Sequence, residues 1–375
     1  MSGLQGLDGQ SIFSPEQVAL AITPKKQELI ILPTEKCNLR CSYCYEDFAI
    51  GKMSEVTQLA LERFIERRTR DLTALTLNWF GGEPLAAKDV VLRLSRYAHR
   101  ICEERGVQFH GGTTTNAYLL DRELFDALVA CRQDFFQITL DGWAEQHDAV
   151  RKFANGKGSF DRIWKNLLAI RESAEAFEIV LRVHVRRENI GHLDFLMERL
   201  GEAFADDSRF RLDFEHVRDL GGAGGASVQN PVSITEVRGH EARWRAIYRS
   251  FAPGSAAGQP HVQDFADEEG EALNAAKQMG ESAGGRRIEE ILTGGGYICY
   301  ASKPNSLLIR ANGRIGKCTV ALTDDRNDIG HIKPDGAIQI DNERLRPWIR
   351  GLADLDPNAL GCPLVSLPRA DTRAA

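Results

Sequence analysis

Three cysteines lie within eight consecutive residues, at Cys37, Cys41 and Cys44. Thiolates are soft ligands that select iron–sulfur clusters or zinc. A structural zinc site needs four protein ligands, whereas three thiolates can hold three irons of a [4Fe–4S] cube and leave the fourth iron open. The spacing therefore indicates a metal site, and a cluster with an open iron is the interpretation that we favour. A zinc site completed by a distant histidine, or three unrelated cysteines, is the alternative.

The segments that must position this loop alternate between strand and helix patterns. Apolar residues at helical spacing follow each strand pattern, and Ser54 and Ser159 stand where N-caps are expected. The predicted strands are Leu29–Thr34, Leu75–Gly81, Val107–Thr115, Phe135–Asp141, Ile179–Val185 and Phe210–Val217. Such alternation predicts a parallel sheet, and because it stops at six strands we expect an open, partial (β/α)6 TIM-like barrel. The cysteine loop follows the first strand, at the edge where α/β barrels carry their sites.

Beyond residue 217 the pattern changes. The glycine-rich run Gly221–Ala226 predicts a flexible linker or mobile loop, and we expect part of Pro253–Gly285 to be mobile. A small α+β unit closes the chain. We divide the sequence into an N-terminal extension, the barrel, a linker with a helical segment, and the C-terminal unit, at residues 1–28, 29–220, 221–296 and 297–375.

Composition excludes several classes of protein. The formal net charge of −6 argues against a protein that coats nucleic acid. The sequence has no run of about twenty apolar residues and no basic segment followed by an apolar stretch at its start. Eight cysteines in 375 residues are too few for a disulfide scaffold. We therefore expect a cytoplasmic protein that binds neither membrane nor nucleic acid.

The loop Cys37–Cys44 resembles the cluster loop of radical S-adenosylmethionine (SAM) enzymes. The fuller string Cys-Asn-Leu-Arg-Cys-Ser-Tyr-Cys-Tyr is similar to their peptide- and protein-modifying branch, which includes anaerobic sulfatase maturases and maturases of ribosomal peptides. The resemblance covers roughly residues 29–217 and implies a [4Fe–4S] cluster whose open iron binds the amino and carboxylate groups of SAM. One electron then cleaves SAM into methionine and a 5′-deoxyadenosyl radical, which takes a hydrogen atom from the substrate.

Four further stretches match that family in order. The resemblance implies that Gly81-Gly82-Glu83-Pro84 receives the SAM amino group, that Thr139 of Thr139-Leu140-Asp141-Gly142 lies near the ribose, and that Arg151 of His147–Arg151 pairs with the carboxylate. Thr114-Thr115-Asn116 matches the family's Thr-Asn turn, and Tyr43 would lie against the adenine. The implied cofactor-binding residues are Tyr43, Gly81, Gly82, Glu83, Asn116, Thr139, Asp141 and Arg151. Each short motif alone is more often a turn, but five in register are hard to explain as turns.

The C-terminal unit resembles a degenerate SPASM/twitch domain, which carries auxiliary [4Fe–4S] clusters. Cys299, Cys318 and Cys362 match parts of that pattern, but Ala359 and Pro368 stand where further cysteines are expected. Three readings stay open: one second cluster with a non-cysteine or open fourth position, a cap for peptide docking without a cluster, or ordinary buried thiols. Within the unit, Ser306–Arg310 and Arg314–Val320 predict a hairpin around an Asn-Gly turn.

Acidic residues of the sixth predicted strand are candidates for substrate contact. Asp213 and Glu215 share one face by strand alternation, and we name them as catalytic candidates. His184 and His216 could also point into the barrel, although a core or rim position is the commoner fate of such residues. Cys102 and Cys131 lie on apolar helical faces and are expected to pack as small hydrophobes.

These patterns together predict a radical SAM oxidoreductase that modifies a peptide, with a cross-link in a ribosomally made precursor as the favoured product. Formylglycine formation as in anaerobic sulfatase maturases, or a non-catalytic iron–sulfur or zinc protein, is the alternative. The implied partners are the precursor peptide and a reductant such as flavodoxin or ferredoxin. The 36 residues before Cys37 offer no evident leader-binding domain, so we expect the cap, a strand edge or a separate protein to hold the leader.

Overall fold

The computed structural model describes residues 13–252 and 297–367. Our expectation for Pro253–Gly285 lies outside the described residues, as does Pro368. Within them, all eight cysteines are free thiols. No described helix combines the length and the apolar character needed to cross a membrane.

All six predicted strands of the barrel are present, each within a few residues of its predicted limits. They are β1 (Lys26–Ile31), β2 (Ala74–Trp79), β3 (Gln108–Thr115), β4 (Gln133–Leu140), β5 (Glu178–Val185) and β6 (Phe210–His216). The strands are parallel and adjacent in chain order, and among the described residues β6 is the last strand at one end of the sheet. This confirms the α/β fold with an open parallel barrel. The carboxyl ends of all six strands therefore meet at one rim.

Helices follow the strands and cover the sheet. They are α1 (Pro15–Ile22), α2 (Glu55–Arg68), α3 (Lys88–Arg105), α4 (Arg122–Val129), α5 (Glu145–Val150), α6 (Phe160–Arg171), α7 (Leu193–Phe204), α8 (Gly222–Gly225) and α9 (Ile234–Arg249). Ser54 caps α2 as predicted, by accepting a bond from Thr57 N. The prediction that Ser159 caps α6 is wrong for its side chain. Its hydroxyl instead donates to Arg151 O at 2.6 Å, and Asp148 Oδ1 accepts from Phe160 N at 2.9 Å.

The C-terminal unit continues the barrel sheet. Its strands are β7 (Ser306–Ile309), β8 (Arg314–Gly316), β9 (Gly330–Ile332) and β10 (Ile338–Ile340), followed by helices α10 (Asn342–Ile349), α11 (Pro357–Gly361) and α12 (Pro363–Ser366). Strand β7 pairs in parallel with β1, and β8 to β10 add antiparallel strands beyond it, so residues 13–252 and 297–367 contain one sheet of ten strands. The predicted hairpin is present with a shorter second strand.

One apolar core serves both parts of this sheet. Leu308 and Ile309 of β7 belong to the same cluster of buried side chains as Leu29 and Ile31 of β1. Because each buried aliphatic side chain contributes about 1.5–3 kcal/mol, the paired strands fix the C-terminal unit against the strand that leads into the cysteine loop. Cys102 and Cys131 are buried as predicted, but Cys131 lies just beyond the end of α4 and not on the helix.

Candidate active site

The cysteine loop is held by a short antiparallel ladder with the segment after α5. Leu39 pairs with Phe153, Arg40 N donates to Lys152 O at 2.7 Å, and Ser42 N donates to Val150 O at 3.1 Å. Alternate residues of a ladder face opposite sides. Cys41 and Arg151 therefore share the inner side, where both line a cavity.

This cavity has a volume of about 210 Å³ and opens at the carboxyl ends of the barrel strands. It brings together most of the residues that the sequence predicted for the site. Those on its wall are Cys37, Cys41, Cys44, Tyr43, Gly81, Gly82, Asn116, Thr139, Arg151 and Glu215. Glu83, Asp141 and Asp213 are not on the wall, and neither are Cys299, Cys318 and Cys362.

The three thiols of the loop fit an iron–sulfur cluster by their chemistry. Burial is the main cause that raises the pKa of Cys37 and of Cys44 to about 12, and it also raises the pKa of Cys41. Such thiols give up their protons only to a strong cationic partner such as iron. Within residues 13–252 and 297–367, no three His, Cys, Asp or Glu side chains are placed to enclose a single metal ion. A [4Fe–4S] cluster does not need side chains that enclose a single ion, because each thiolate binds a separate iron atom.

Gly81 and Gly82 permit a close approach between the turn after β2 and the chain that leads into Cys37. Gly81 has a φ of +114°, and a Cβ there would lie 2.5 Å from Thr34 O. A Cβ on Gly82 would lie 2.6 Å from Glu35 O. Larger residues would push this turn away from the loop. The two glycines therefore shape the cavity wall by backbone packing.

Glu83 is not on the cavity wall, and its predicted contact with SAM stays a prediction. The side chain is fully buried, and its carboxylate accepts bonds from Thr115 Oγ1 at 2.7 Å, Asn116 N at 2.8 Å and Leu85 N at 3.0 Å. Burial raises the pKa of Glu83, and these hydrogen bonds oppose the rise. The carboxylate therefore connects the turn after β2 to the turn after β3 through hydrogen bonds.

This hydrogen-bond network extends to Cys37, the first cysteine of the loop. The Asn116 side-chain amide donates to Asn38 Oδ1 at 2.8 Å and lies 3.9 Å from Cys37 Sγ. Asn116 thus connects Glu83 to the cysteine loop, and it also lines the cavity. Its predicted contact with the cofactor stays a prediction.

A second polar network lies beneath the loop and centres on Tyr43. The Tyr43 hydroxyl donates to Asp141 Oδ2 at 2.7 Å and accepts from Arg151 Nη1 at 2.9 Å. Since its proton is given to Asp141, the bond of 3.0 Å to His184 Nδ1 assigns that nitrogen as a donor. Burial is the first cause that lowers the pKa of His184 well below its usual value. The network therefore contains a neutral His184.

Asp141 lies within this network and not on the cavity wall, and its predicted contact with the cofactor stays a prediction. Its carboxylate is fully buried and lies 3.6 Å from Arg151 Nε and 3.3 Å from Arg186 Nε. Burial raises the pKa of Asp141, and the two guanidinium groups oppose the rise. Sequence reasoning missed Arg186 because a single arginine after a strand carries no motif.

His147 positions this network through the backbone. Its Nδ1 accepts from Asp141 N at 3.3 Å, and its Nε2 lies 3.2 Å from Ser159 Oγ. Ser159 Oγ gives its proton to Arg151 O, so His147 Nε2 is the donor in that pair. Burial is the main cause that lowers the pKa of His147 well below its usual value. A neutral histidine thus fixes the backbone on both sides of the segment that bears Arg151.

The two acidic candidates of β6 differ in position. Asp213 is not on the cavity wall; its Oδ2 lies 2.6 Å from Nε of Arg182, and its side chain is 39% exposed. Its contact with a substrate stays a prediction. Glu215 lies on the cavity wall, 3.6 Å from His216 Nδ1 and 3.5 Å from Arg218 Nη1. His184 and His216 also line the cavity, although a core or rim position was the commoner expectation for such residues.

The glycine-rich run forms helix α8 instead of the predicted flexible linker or mobile loop. Gly224 N donates to Cys44 O at 3.0 Å, and Ser227 Oγ donates to Ser42 O at 2.8 Å. A Cβ on Gly222 would lie 2.1 Å from Tyr45 O, and one on Gly224 would lie 2.4 Å from Cys44 N. Only glycine allows this backbone contact. The run therefore fixes the last cysteine of the loop.

The three C-terminal cysteines are neighbours. Burial raises the pKa of Cys299 to about 12, and the nearby thiols of Cys318 and Cys362 add to the rise. Burial likewise raises the pKa of Cys318 to about 11. Cys318 also contributes to the raised pKa of Tyr45, which lines the cavity. The C-terminal thiols are thus a separate group close to the cavity wall.

Comparisons with known sequences agree with this geometry. Residues 31–200 match the family model of the Radical SAM superfamily. The chain is 26% identical over 214 residues to Fe-coproporphyrin III synthase of Methanosarcina barkeri, which covers 57% of this chain and 49% of that protein. It is 31% identical over 140 residues to a probable GTP 3′,8-cyclase of Archaeoglobus fulgidus, covering 34% and 42% respectively. The chain spans about half the length of the curated relatives it matches or less.

Solved structures share the fold. The protein anSMEcpe, solved with bound AdoMet and the Cp18Cys peptide, superposes with a TM-score of 0.58 at 17% identity, over 86% of this chain and 80% of that one. Streptococcus suis SuiB, solved with its precursor peptide SuiA, gives a TM-score of 0.51 at 17% identity, over 83% and 63%. At such identities the likeness concerns the fold alone.

Proposed function

We propose that this chain, whose residues 31–200 form a radical SAM domain, is an oxidoreductase that cleaves SAM reductively and abstracts a hydrogen atom from a peptide. The observation that carries the proposal is the cavity that joins three thiols, a double-glycine turn and a buried arginine at the carboxyl ends of the barrel strands. An electron-transfer protein would need the thiols but not the rest of this wall. The identification of a peptide as the substrate is a separate part of the proposal.

Cys37, Cys41 and Cys44 would hold the [4Fe–4S] cluster. When bound, the reduced cluster supplies the electron that breaks SAM into methionine and a 5′-deoxyadenosyl radical. The protein keeps the thiols in a half-buried loop fixed by the ladder, by Asn116 and by Gly224. A rigid loop places the ligands without rearrangement at each turnover.

Arg151 and the residues around it would hold SAM. Arg151 is 8% exposed, and within the described part of the chain its Nε makes no hydrogen bond. A planar guanidinium suits a carboxylate, so we assign Arg151 to the SAM carboxylate. The remaining SAM-contacting residues that we propose are Tyr43, Gly81, Gly82, Asn116 and Thr139. Asp141 and Glu83 position these residues from behind.

A peptide would enter at the outer part of the cavity. Arg182, Glu215 and Arg218 line it there and supply charges of both signs. Two proteins of the same fold have been solved with peptides, which supports a peptide substrate here. We favour a side-chain cross-link, which removes two hydrogens from the peptide: one as an atom, the other as a proton and an electron. Formylglycine formation stays the alternative product.

Cys299, Cys318 and Cys362 would hold a second cluster that accepts this last electron. Their neighbouring positions support the assignment, and so do two cations close to Cys299. Lys303 and Lys317 are 8% and 1% exposed; burial lowers the pKa of both side chains, that of Lys317 to about 7, and the nearby Cys299 opposes the fall. A buried cation is costly unless an anion compensates it, and a thiolate-bound cluster supplies negative charge. We also propose a cytoplasmic location, where thiols stay reduced.

The direct test is SAM cleavage after anaerobic reconstitution with iron and sulfide. With dithionite as reductant, the unaltered chain should form 5′-deoxyadenosine, and Cys41→Ala should form none. Cys102→Ala removes a buried thiol outside the loop and should retain cleavage. Absence of 5′-deoxyadenosine from the unaltered chain would favour the non-catalytic alternative. Iron analysis should give about eight irons per chain for two clusters and about four for one.

A further inference from the structure

Phe48, which follows the cysteine loop, has a backbone conformation that large side chains rarely adopt. Its φ is +54°, in the left-handed region where Cβ crowds the following carbonyl oxygen. Asp47 supports this conformation, because its Oδ1 accepts from Ala49 N at 2.9 Å and closes a turn around Phe48. Strain of this kind is concentrated at functional sites. The turn fixes the backbone but does not explain why its central residue carries an aromatic ring.

A turn of the same kind surrounds Leu355, and there packing provides the explanation. The φ of Leu355 is +55°, and Asp354 Oδ1 accepts from Asp356 N at 3.3 Å. The Leu355 side chain packs against a small apolar cluster, whose members are Phe13, Ala21, Ile298 and Leu360. Removal of this apolar side chain from water offsets the strain of its backbone.

Phe48 differs from Leu355 in what its side chain contacts. Within the described residues, the half-buried Phe48 belongs to neither apolar cluster. Of the six residues other than glycine that have a positive φ in this part of the chain, it alone lines the cavity. The Arg40 guanidinium lies 4.7 Å from the centre of its ring and donates to Cys37 O at 2.7 Å. The strained turn and Arg40 therefore hold an aromatic ring at the cavity, beside the cysteine loop.

Other half-buried apolar side chains line the same cavity. Phe80 directly follows β2, and Val320 belongs to the C-terminal unit. Both also pack against the main apolar core, so their positions are fixed before any molecule binds. Together with Phe48 they come from three separate segments of the chain. The cavity thus has apolar wall beside its charged groups, and such wall is stabilised by contact with an apolar side chain.

We propose that Phe48 contacts a large apolar side chain of the peptide substrate and thereby helps to select the residue that enters the cavity. This inference rests on the proposed function, since it names the kind of side chain that the peptide presents. Phe80 and Val320 contact that side chain from other parts of the wall. An aromatic ring supplies a large contact area, and a ring that is fixed before binding loses little conformational freedom. The strained backbone at Phe48 serves to preform this contact.

The test uses Phe48→Asn, because asparagine tolerates a positive φ and the variant removes the aromatic ring. Phe48→Tyr keeps the ring and is the conservative variant. Leu355→Asn is the matched control at the second turn of the same kind. The probe is a capped pentapeptide with para-fluorophenylalanine between two pairs of glycines. Fluorine nuclear magnetic resonance measures its binding to the anaerobically reconstituted chain with SAM and without reductant, and circular dichroism checks that each variant is folded.

The dissociation constant of the probe should rise about threefold to tenfold in Phe48→Asn and stay unchanged in Phe48→Tyr and Leu355→Asn. A pentapeptide with glutamate at the central position should compete poorly with the probe. Calorimetric titration should give Phe48→Asn the same SAM affinity as the unaltered chain. Chemical denaturation should show an unchanged midpoint for Phe48→Asn and a lower midpoint for Leu355→Asn, because only Leu355 packs against an apolar cluster.

Four results would overturn the contact. They are no binding of the probe to the unaltered chain, unchanged probe affinity in Phe48→Asn, equal competition by the glutamate peptide, and an equal loss of SAM affinity in Phe48→Asn. The last result would assign Phe48 to the cofactor. If the unaltered chain forms no 5′-deoxyadenosine with dithionite, the proposed function fails. Binding of the probe then judges the contact by itself.

Discussion

The two groups of three cysteines differ in how the fold presents them. Cys37, Cys41 and Cys44 lie on the wall of a cavity, in a loop fixed by backbone bonds and by Asn116. The C-terminal group lies off that wall, and Cys318 is only 8% exposed. Cys299 and Cys362 are half-buried, as are the three loop cysteines, so the two groups differ mainly in whether open space lies beside the thiols. Open space beside thiols admits a substrate molecule, which agrees with the proposed reacting site at the loop.

Both groups nevertheless have buried cations close by. Arg151 acts on all three thiols of the loop, and Lys303 and Lys317 lie near Cys299. The Lys317 ammonium donates to Lys303 O at 2.6 Å and to Ser306 O at 2.5 Å. Carbonyl bonds compensate a buried ammonium only in part. The comparison shows that buried basic side chains lie near both groups of thiols, and that the loop group is the one on the cavity wall.

The largest expected effect comes from exchanging one cysteine in each group. Cys41→Ser should abolish SAM cleavage, because the cluster would lose one of its three thiolates. Cys318→Ser should retain SAM cleavage and lower the iron content by about four per chain. Anaerobic iron analysis and detection of 5′-deoxyadenosine measure both. Loss of SAM cleavage in Cys318→Ser would show that the two groups are not independent.

Next in size is the replacement of the cation on the cavity wall. Arg151→Lys keeps the charge but removes the planar, two-bond geometry, so SAM affinity should fall by roughly tenfold to a hundredfold, the equivalent of about 1.5–3 kcal/mol. Calorimetric titration with SAM on the reconstituted protein measures it. Arg162→Lys, at an exposed position of α6, is the control. Equal affinities of Arg151→Lys and the unaltered chain would contradict the assignment of Arg151 to the carboxylate.

A smaller effect concerns the backbone contact that fixes the loop. Gly224→Ala should destabilise the fold by about 1–3 kcal/mol, because its Cβ would meet Cys44 N at 2.4 Å. The control Gly239→Ala lies within α9, where a Cβ would have open space, and should stabilise by about 0.5–1 kcal/mol. Chemical denaturation compares the two. The electron paramagnetic resonance signal of the reduced cluster should change only in Gly224→Ala.

The smallest effect is expected off the cavity wall. Asp213→Asn removes the ion pair with Arg182, whose partner carboxylate is 39% exposed, and should cost at most about 1 kcal/mol. SAM cleavage should stay unchanged. Glu215→Gln, on the wall, is the matched variant and should alter the reaction with peptide. A large loss of SAM cleavage in Asp213→Asn would contradict this expectation and indicate that Asp213 takes part in the reaction.

The sequence by itself determined the fold of the barrel and the identity of most site residues. Strict alternation of strand and helix patterns predicts parallel strands, and motifs after those strands must meet at one rim because parallel carboxyl ends share an edge. This reasoning placed Cys37, Cys41 and Cys44 on the cavity wall, and the resemblance of a short motif to a known family added Arg151. Both depend on local patterns, which a sequence displays directly.

Only the tertiary structure decided which polar groups face the cavity and which stand behind it. Glu83 and Asp141 belong to motifs, yet both carboxylates are bound by neighbouring turns. Arg186 and the glycine run of α8 belong to no motif, yet they hold Asp141 and Cys44. These contacts join residues far apart in the chain, and whether a side chain faces space or a partner depends on how the strands and turns pack. No local pattern encodes that packing.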